Sequence, residues 1–152
     1  MTAGVKWWVG ATLADIHAHP DRWEALCDGC GRCCTERYDE GGGVQAMTDI
    51  ACKLLNCRTA RCSDYRNRHT REPRCLPITP AEVAREDGDW LPPTCAYRLI
   101  HKGRDLFFWH HLMNGGDRQM VHRIGPGVAG KVQPPRRGIN SARRIVERVK
   151  AV

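Results

Sequence analysis

The sequence predicts an α+β fold: a small, loop-rich single domain with short helices and a hairpin, crosslinked by metal–cysteine sites. Three observations predict it. Helix-start signals occur several times, each soon followed by a Gly or Pro stop. Two stretches, residues 51–55 and 61–65, flank a polar run and read as a loose hairpin that brings Cys52 toward Cys62. Leu, Ile, Val and Phe together number only 28 of 152 residues, whereas cysteine numbers nine. That apolar content verges on a disordered composition. Five tryptophans add bulk, and bonds from sulfur to a metal ion would supply the cohesion that the core lacks.

Taken in order, residues 1–22 form a lead-in, helical over 12–18. Asp21 and Glu24 fit a capping box around Trp23, so a short helix delivers the chain into the first cysteines. Residues 40–43, Glu-Gly-Gly-Gly, read as a turn, and 44–47 as a strand. Pro73 and Pro77 bracket Cys75 in an irregular, rigid segment. Thr79, Pro80 and Glu82 give a strong helix start, with an end near Gly88. Pro92-Pro93-Thr94 opens a helix over 95–102 that Gly103 stops. Residues 106–109, Leu-Phe-Phe-Trp, predict a buried strand or core wedge. Residues 125–130 are loop-like and Pro134-Pro135 a linker. Asn140 or Ser141 then caps a last helix, with Ile145, Val146, Val149 and Val152 on one stripe. The organisation expected is a lead-in (1–22), a cysteine-cluster metal-binding domain (23–132) and a basic helical tail (133–152).

The chemistry lies in Cys27-Asp28-Gly29-Cys30-Gly31-Arg32-Cys33-Cys34, four thiols within eight residues. Two cysteines separated by two residues can grip one ion from a tight turn, and the thiolate is the ligand, so binding expels the thiol proton. Cys52, Cys57, Cys62, Cys75 and Cys95 complete the candidate ligand set. Vicinal Cys33 and Cys34 point apart in an extended chain, so the pair either serves two ions or leaves one thiol spare. The bacterial ferredoxin run is absent, because Arg37 and Tyr38 stand where its last cysteine and proline would be. Cys95, at a helix N-terminus, would have its thiol pKa lowered by the helix dipole. His110, His111 and His122 are weaker candidates, more often structural than ligating. The competing readings are a disulfide-stapled secreted scaffold, which needs an oxidising compartment, and plain buried cysteine. The ion would be zinc or iron, as two ions or an iron–sulfur cluster, with zinc slightly favoured.

Net charge is +7, but residues 131–152 carry +6 of it, so the body is not a basic surface. Nucleic acid or an acidic partner is therefore expected only at the tail, whose blander reading is a solvated helix docked on the body. No apolar run approaches the ~20 residues that span a bilayer. No membrane association and a cytoplasmic location are expected.

Trp23-Glu24-Ala25-Leu26 leading into CDGCGRCC resembles the YcgN-type cysteine-cluster proteins of the wider YkgJ-like family of zinc- or iron-chelating CxxCxxCC domains. Residues 51–55, 62–65 with Asn67-Arg68, 89–98, 103–106, Trp109-His110 and Val121-His122 carry the same resemblance, from about Trp23 to Val132. It implies a ligand set of the four clustered cysteines with Cys52, Cys62, Cys75 and Cys95. The family's C-x-C ending at the Cys62 position is interrupted by Ala60, with Cys57 three residues earlier as a substitute. Three functions follow. The first is a metal-binding module whose ion is structural, carried or sensed. The second is an iron–sulfur or metal-dependent enzyme, since the wider family is similar to a domain in flagellin lysine methylases, with Tyr65, Asp64, Arg68 and His110 as helpers. The third is a metal-stabilised interaction module acting through its basic tail.

Overall fold

A hairpin and a strand returning from the far end of the chain build the main sheet. In the computed structural model, which describes residues 6–11 and 13–151, β1 (Thr35–Gly41) and β2 (Val44–Ala51) pair antiparallel around the glycine turn. β5 (Ile145–Lys150) pairs antiparallel with the other edge of β2, giving the order β1-β2-β5. β2 is central, and six of its eight residues are buried. Between the pairs Thr35–Ala51 and Arg37–Met47 the chain of β2 runs longer than that of β1, so the bulge lies in β2, across from Glu36.

The expected C-terminal helix is corrected by β5. Ile145 and Val149 lie four apart, a spacing that satisfies a helical stripe and a period-two strand equally. Three β-branched residues favour the strand, and the open edge of β2 supplies the hydrogen bonds. One 3-10 turn at Ser141–Arg143 precedes it, with the Asn140 side chain accepting from Ala142 N at 3.1 Å. The cap was legible; the helix beyond it does not form. Val152 lies outside the described residues.

The apolar core sits apart from this sheet's outer edges, between short helices. α1 (Leu13–Ala18) and α2 (Pro20–Ala25) lead in; Thr12, the expected start of α1, lies outside the described residues. His19 rather than Asp21 occupies the N-cap of α2, without a side-chain cap, because Pro20 takes the first helical position. The capping-box expectation is corrected on that point. α4 (Pro80–Ala84) begins as expected, with Thr79 Oγ1 accepting from Glu82 N at 3.2 Å, and a 3-10 turn carries it to Gly88. α5 (Ala96–His101) follows. Between them pack Trp8, Trp23, Leu26, Val83, Leu91, Tyr97, Leu99 and Leu106. Each buried indole N–H finds an acceptor: Trp8 donates to Asp105 Oδ1 (2.8 Å), Trp23 to Ile78 O (2.7 Å) and Trp90 to Glu82 O (2.9 Å).

Residues 106–109 are not a strand. Leu106 enters the core, Phe107 stacks on Trp109 at 4.4 Å, and Phe108 is 60% exposed. No neighbouring strand offers this run a ladder, so its rings pack on one another. The loose hairpin is present but minimal: β3 (Leu55–Asn56) pairs with β4 (Arg61–Cys62), with Leu55 opposite Cys62. One-turn helices α3 (Arg68–Arg71) and α6 (Met120–Arg123) complete the fold. It is a mixed α+β arrangement of short helices and antiparallel strands. Among the described residues no helix is long and apolar enough to cross a membrane.

Candidate metal centre

The cysteine turn starts where α2 runs out. Asp28, buried, accepts from Cys30 N at 3.0 Å and closes the turn. Gly31 then takes φ +79, and a Cβ there would lie 2.7 Å from Val128 Cγ2 and 3.1 Å from Ala60 Cβ. Only glycine permits both that angle and that approach. The approach matters because the 125–130 loop clasps the turn: Val128 N donates to Cys30 O (2.9 Å) and Gly130 N to Cys57 O (2.8 Å). Cys34 O accepts from Cys52 N at 2.6 Å, tying the cluster to the hairpin region.

All nine cysteines are free thiols in this structure. Cys27 and Cys95 are raised by burial first and by the neighbouring Cys33 next, Cys27 to about 12; Cys30 is raised by burial, then by Asp28 and Cys33. Cys34 is raised by its hydrogen bond with Cys33, by burial, and by Cys52 and Cys75. Cys75 in turn feels Cys33, Cys52 and Cys62. Cys27, Cys30, Cys33 and Cys95 thus influence one another, as do Cys34, Cys52 and Cys75, with Cys33 reaching Cys34 and Cys75 as well. Cys33 and Cys34 meet at the junction, their sulfurs 3.9 Å apart; this bond and Arg37 bring Cys33 down to about 7 despite burial. Cys57 stands aside, its thiol directed at Leu55 O at 3.9 Å.

Four sulfurs face the backbone N–H two residues on. Arg32 N lies 3.4 Å from Cys30 Sγ and Leu54 N 3.5 Å from Cys52 Sγ. Gly29 N–H donates to Cys27 and the Tyr97 and Arg98 N–H groups to Cys95, at the start of α5. These donors favour thiolate, but at Cys95 burial outweighs them: the expectation of a lowered thiol pKa is corrected, and the free thiol is raised. Among the described residues no three Cys, His, Asp or Glu side chains converge at the spacing of a finished metal site. The thiols are gathered but not drawn onto common centres.

Arg37 is the residue that sequence reasoning missed. Its guanidinium donates to Arg32 O (2.8 Å) and Trp90 O (2.9 Å). Burial lowers its pKa, and the groups that support its charge are the thiols of Cys33, Cys95, Cys30 and Cys34. Among the described residues no carboxylate pairs with it. Arg32, with only 7% of its side chain exposed, was missed as well: it donates to Glu147 Oε2 (2.6 Å) and Thr94 Oγ1 (3.3 Å), joining the cysteine turn to β5. A cleft of about 530 Å3 runs past Cys33, Cys34, Cys52 and Cys75, with Glu72, Arg74 and Pro135 on its walls.

His110 and His122 have hydrogen-bond partners, whereas both ring nitrogens of His111 are buried without one. His110 is buried, its Nε2 against Leu26 O (2.7 Å) and its Nδ1 accepting from Leu112 N (3.0 Å), which fixes a neutral Nε2–H tautomer. His111 stacks on it at 4.2 Å, and burial followed by His110 pushes its pKa down to about 4. His122 Nδ1 faces Ala129 N at 3.4 Å. Tyr65 donates to Glu24 Oε2 (3.1 Å) beneath the Arg68 guanidinium, 3.6 Å from its ring, and Asp64 pairs with Arg71 (3.1 Å) and Asn67 (3.0 Å).

Comparison with known proteins decides the family. A protein of Ectopseudomonas mendocina named UPF0260 is 51% identical over 126 residues, covering 82% of this chain and 81% of its own. The chain belongs to the UPF0260 family. UPF0260 proteins of Gluconacetobacter diazotrophicus (47% identity; 90% of this chain, 83% of the relative) and Pseudomonas syringae (46%; 87% of each) are similarly related. This corrects the resemblance drawn from the motif: the relatives are named for the UPF0260 family, not for the YcgN-type or YkgJ-like family. No family model matches the chain, and no solved structure matches it.

Proposed function

We propose that this UPF0260 protein is a metal-binding protein holding zinc or iron on eight cysteine thiolates in two four-sulfur sites. Cys27, Cys30, Cys33 and Cys95 would hold one ion, and Cys34, Cys52, Cys62 and Cys75 the other. The observation that carries this is Arg37. A desolvated guanidinium costs several kcal/mol unless a negative partner stands near it, and its neighbours are four thiols and two carbonyls. Neutral thiols leave that charge uncompensated; thiolates on a divalent ion compensate it, since four thiolates outweigh the ion's charge. The N–H groups aimed at Cys27, Cys30, Cys52 and Cys95 support the same state, because such donors stabilise ligated sulfur. The Cys33 and Cys34 sulfurs lie 3.9 Å apart, so the two sites would abut. A thiolate shell this full makes the ion structural, carried or sensed, in the cytoplasm, where thiols stay reduced.

Metal analysis of protein purified without air or chelator tests this. The expected result is roughly two ions per chain, with Cys57→Ser unchanged and Cys95→Ser or Cys75→Ser each losing about one ion. Visible absorption separates an iron–sulfur form from colourless zinc. Protein that contains neither metal and keeps its fold would refute the reading, and loss of metal on Cys57→Ser would refute the partition.

A further inference from the structure

On β5 and beside it three arginines are matched: Arg148 pairs with Glu40 (2.7 Å), Arg32 with Glu147 (2.6 Å), and Arg144 with Asp49. The loop before β5 is different. Arg136, Arg137, Arg143 and Arg144, with Asn140 and Gly138, surround an open hollow of about 470 Å3. Arg136 lends one nitrogen to Gln133 Oε1 at 3.0 Å. Among the described residues neither Arg137 nor Arg143 has a carboxylate partner. Gly138, at φ +81, turns the loop so that arginines from both its arms line one hollow.

An aromatic side chain reaches the turn that carries Arg143, from the wall of the cysteine cleft. Tyr38, on the edge strand β1, is 38% exposed, and its hydroxyl is held by Ser141 Oγ, two residues before Arg143. The hydrogen bond fixes the phenol against the arginine turn while the ring remains accessible. Guanidinium forks match phosphate oxygens bidentately, and an exposed ring beside a cationic groove is a stacking platform for unpaired bases. We propose that the 136–144 loop and Tyr38 form a binding site for single-stranded nucleic acid, with Arg136, Arg137 and Arg143 on successive phosphates and Tyr38 under a base. An acidic peptide would engage the same guanidinium groups but has no use for the ring face, so Tyr38 separates the two partners.

The test uses full-length, metal-replete protein and a fluorescently labelled oligouridylate of about twelve nucleotides, well within the span of single-strand grooves. Wild-type protein is expected to bind with affinity that falls as salt rises. The triple variant R136A/R137A/R143A should bind at least ~30-fold more weakly, and its log–log salt slope should flatten by about two, since each single-strand phosphate contact contributes about 0.7. Tyr38→Ala should cost about 5- to 100-fold, the range measured for one stacked base, while Tyr38→Phe keeps the ring and stays near wild type. Arg58→Ala, an exposed arginine elsewhere, should change nothing. Should the triple variant fail to fold, judged by metal content and melting temperature, Arg137→Glu alone gives the same reading. Wild-type binding by the arginine variants overturns the proposal. So does polyglutamate competing as well as RNA with Tyr38→Ala without effect, or a duplex binding as tightly as the single strand.

Discussion

Two regions of this molecule are held together by different means. Around α4 and α5, Leu26, Leu91 and Val83 are almost wholly buried in a core that includes indole and phenol rings, and the N–H groups of Trp8, Trp23 and Trp90 have acceptors. Residues 52–75 have strands of two residues, one single-turn helix and few buried apolar side chains, yet carry four of the nine cysteines. A two-stranded hairpin of that size is at best marginal in water. The contrast teaches that the segment poorest in apolar contact is rich in thiols, while the ring-packed core takes in Cys95 at its margin.

Removing the metal is the strongest way to break this comparison. Chelation should abolish amide-exchange protection over residues 52–75 and leave residues 83–99 protected, since a structural zinc site contributes on the order of 10 kcal/mol. Uniform loss across both regions would show one cooperative unit. Leu91→Ala should act in the opposite place. It should cost about 2–5 kcal/mol in chemical denaturation, as a fully buried leucine does, with metal content unchanged. A fall in bound metal would join the regions energetically.

Acid should also act on the apolar side. His111, held down to about 4 in the fold against about 6.5 unfolded, is neutral in the native state. Its stabilisation is present above pH ~6.5 and is lost as pH falls through that value toward about 4, because the unfolded chain binds the proton first. The full span is of the order of 3 kcal/mol. Melting temperature should therefore fall between pH 7 and 4.5, and His111→Phe should flatten the fall. The smallest effect is expected from Thr79→Ala, which removes the cap on α4 and should cost about 1 kcal/mol in stability, read by thermal melting, without touching the cysteines.

Much of the fold was legible where the signal was local. The Thr79 cap, the glycine turn between β1 and β2, the start of β2 and the helix beyond Cys95 each depend on residues within a few positions of one another, and the structure has all four. The candidate ligands were legible as a set for the same reason. Their proposed division was not, because it would bring Cys95 to the first cluster and Cys75 to the second across long loops. Arg37 was unreadable as the counter-charge, since its thiol neighbours Cys33, Cys30, Cys34 and Cys95 meet it only in the fold.

The sequence by itself determined the short elements and the crowding of thiols into eight residues, because caps, turns and spacings act over one or two turns of backbone. Tertiary structure alone decided that residues 145–150 are a strand. A spacing of four fits helix and strand alike, and the choice fell to the bare edge of β2, with Asp49 ninety-five positions from Arg144 and Arg32 one hundred and fifteen from Glu147. Contacts of that separation have no local signature; they exist only once the chain has closed on itself.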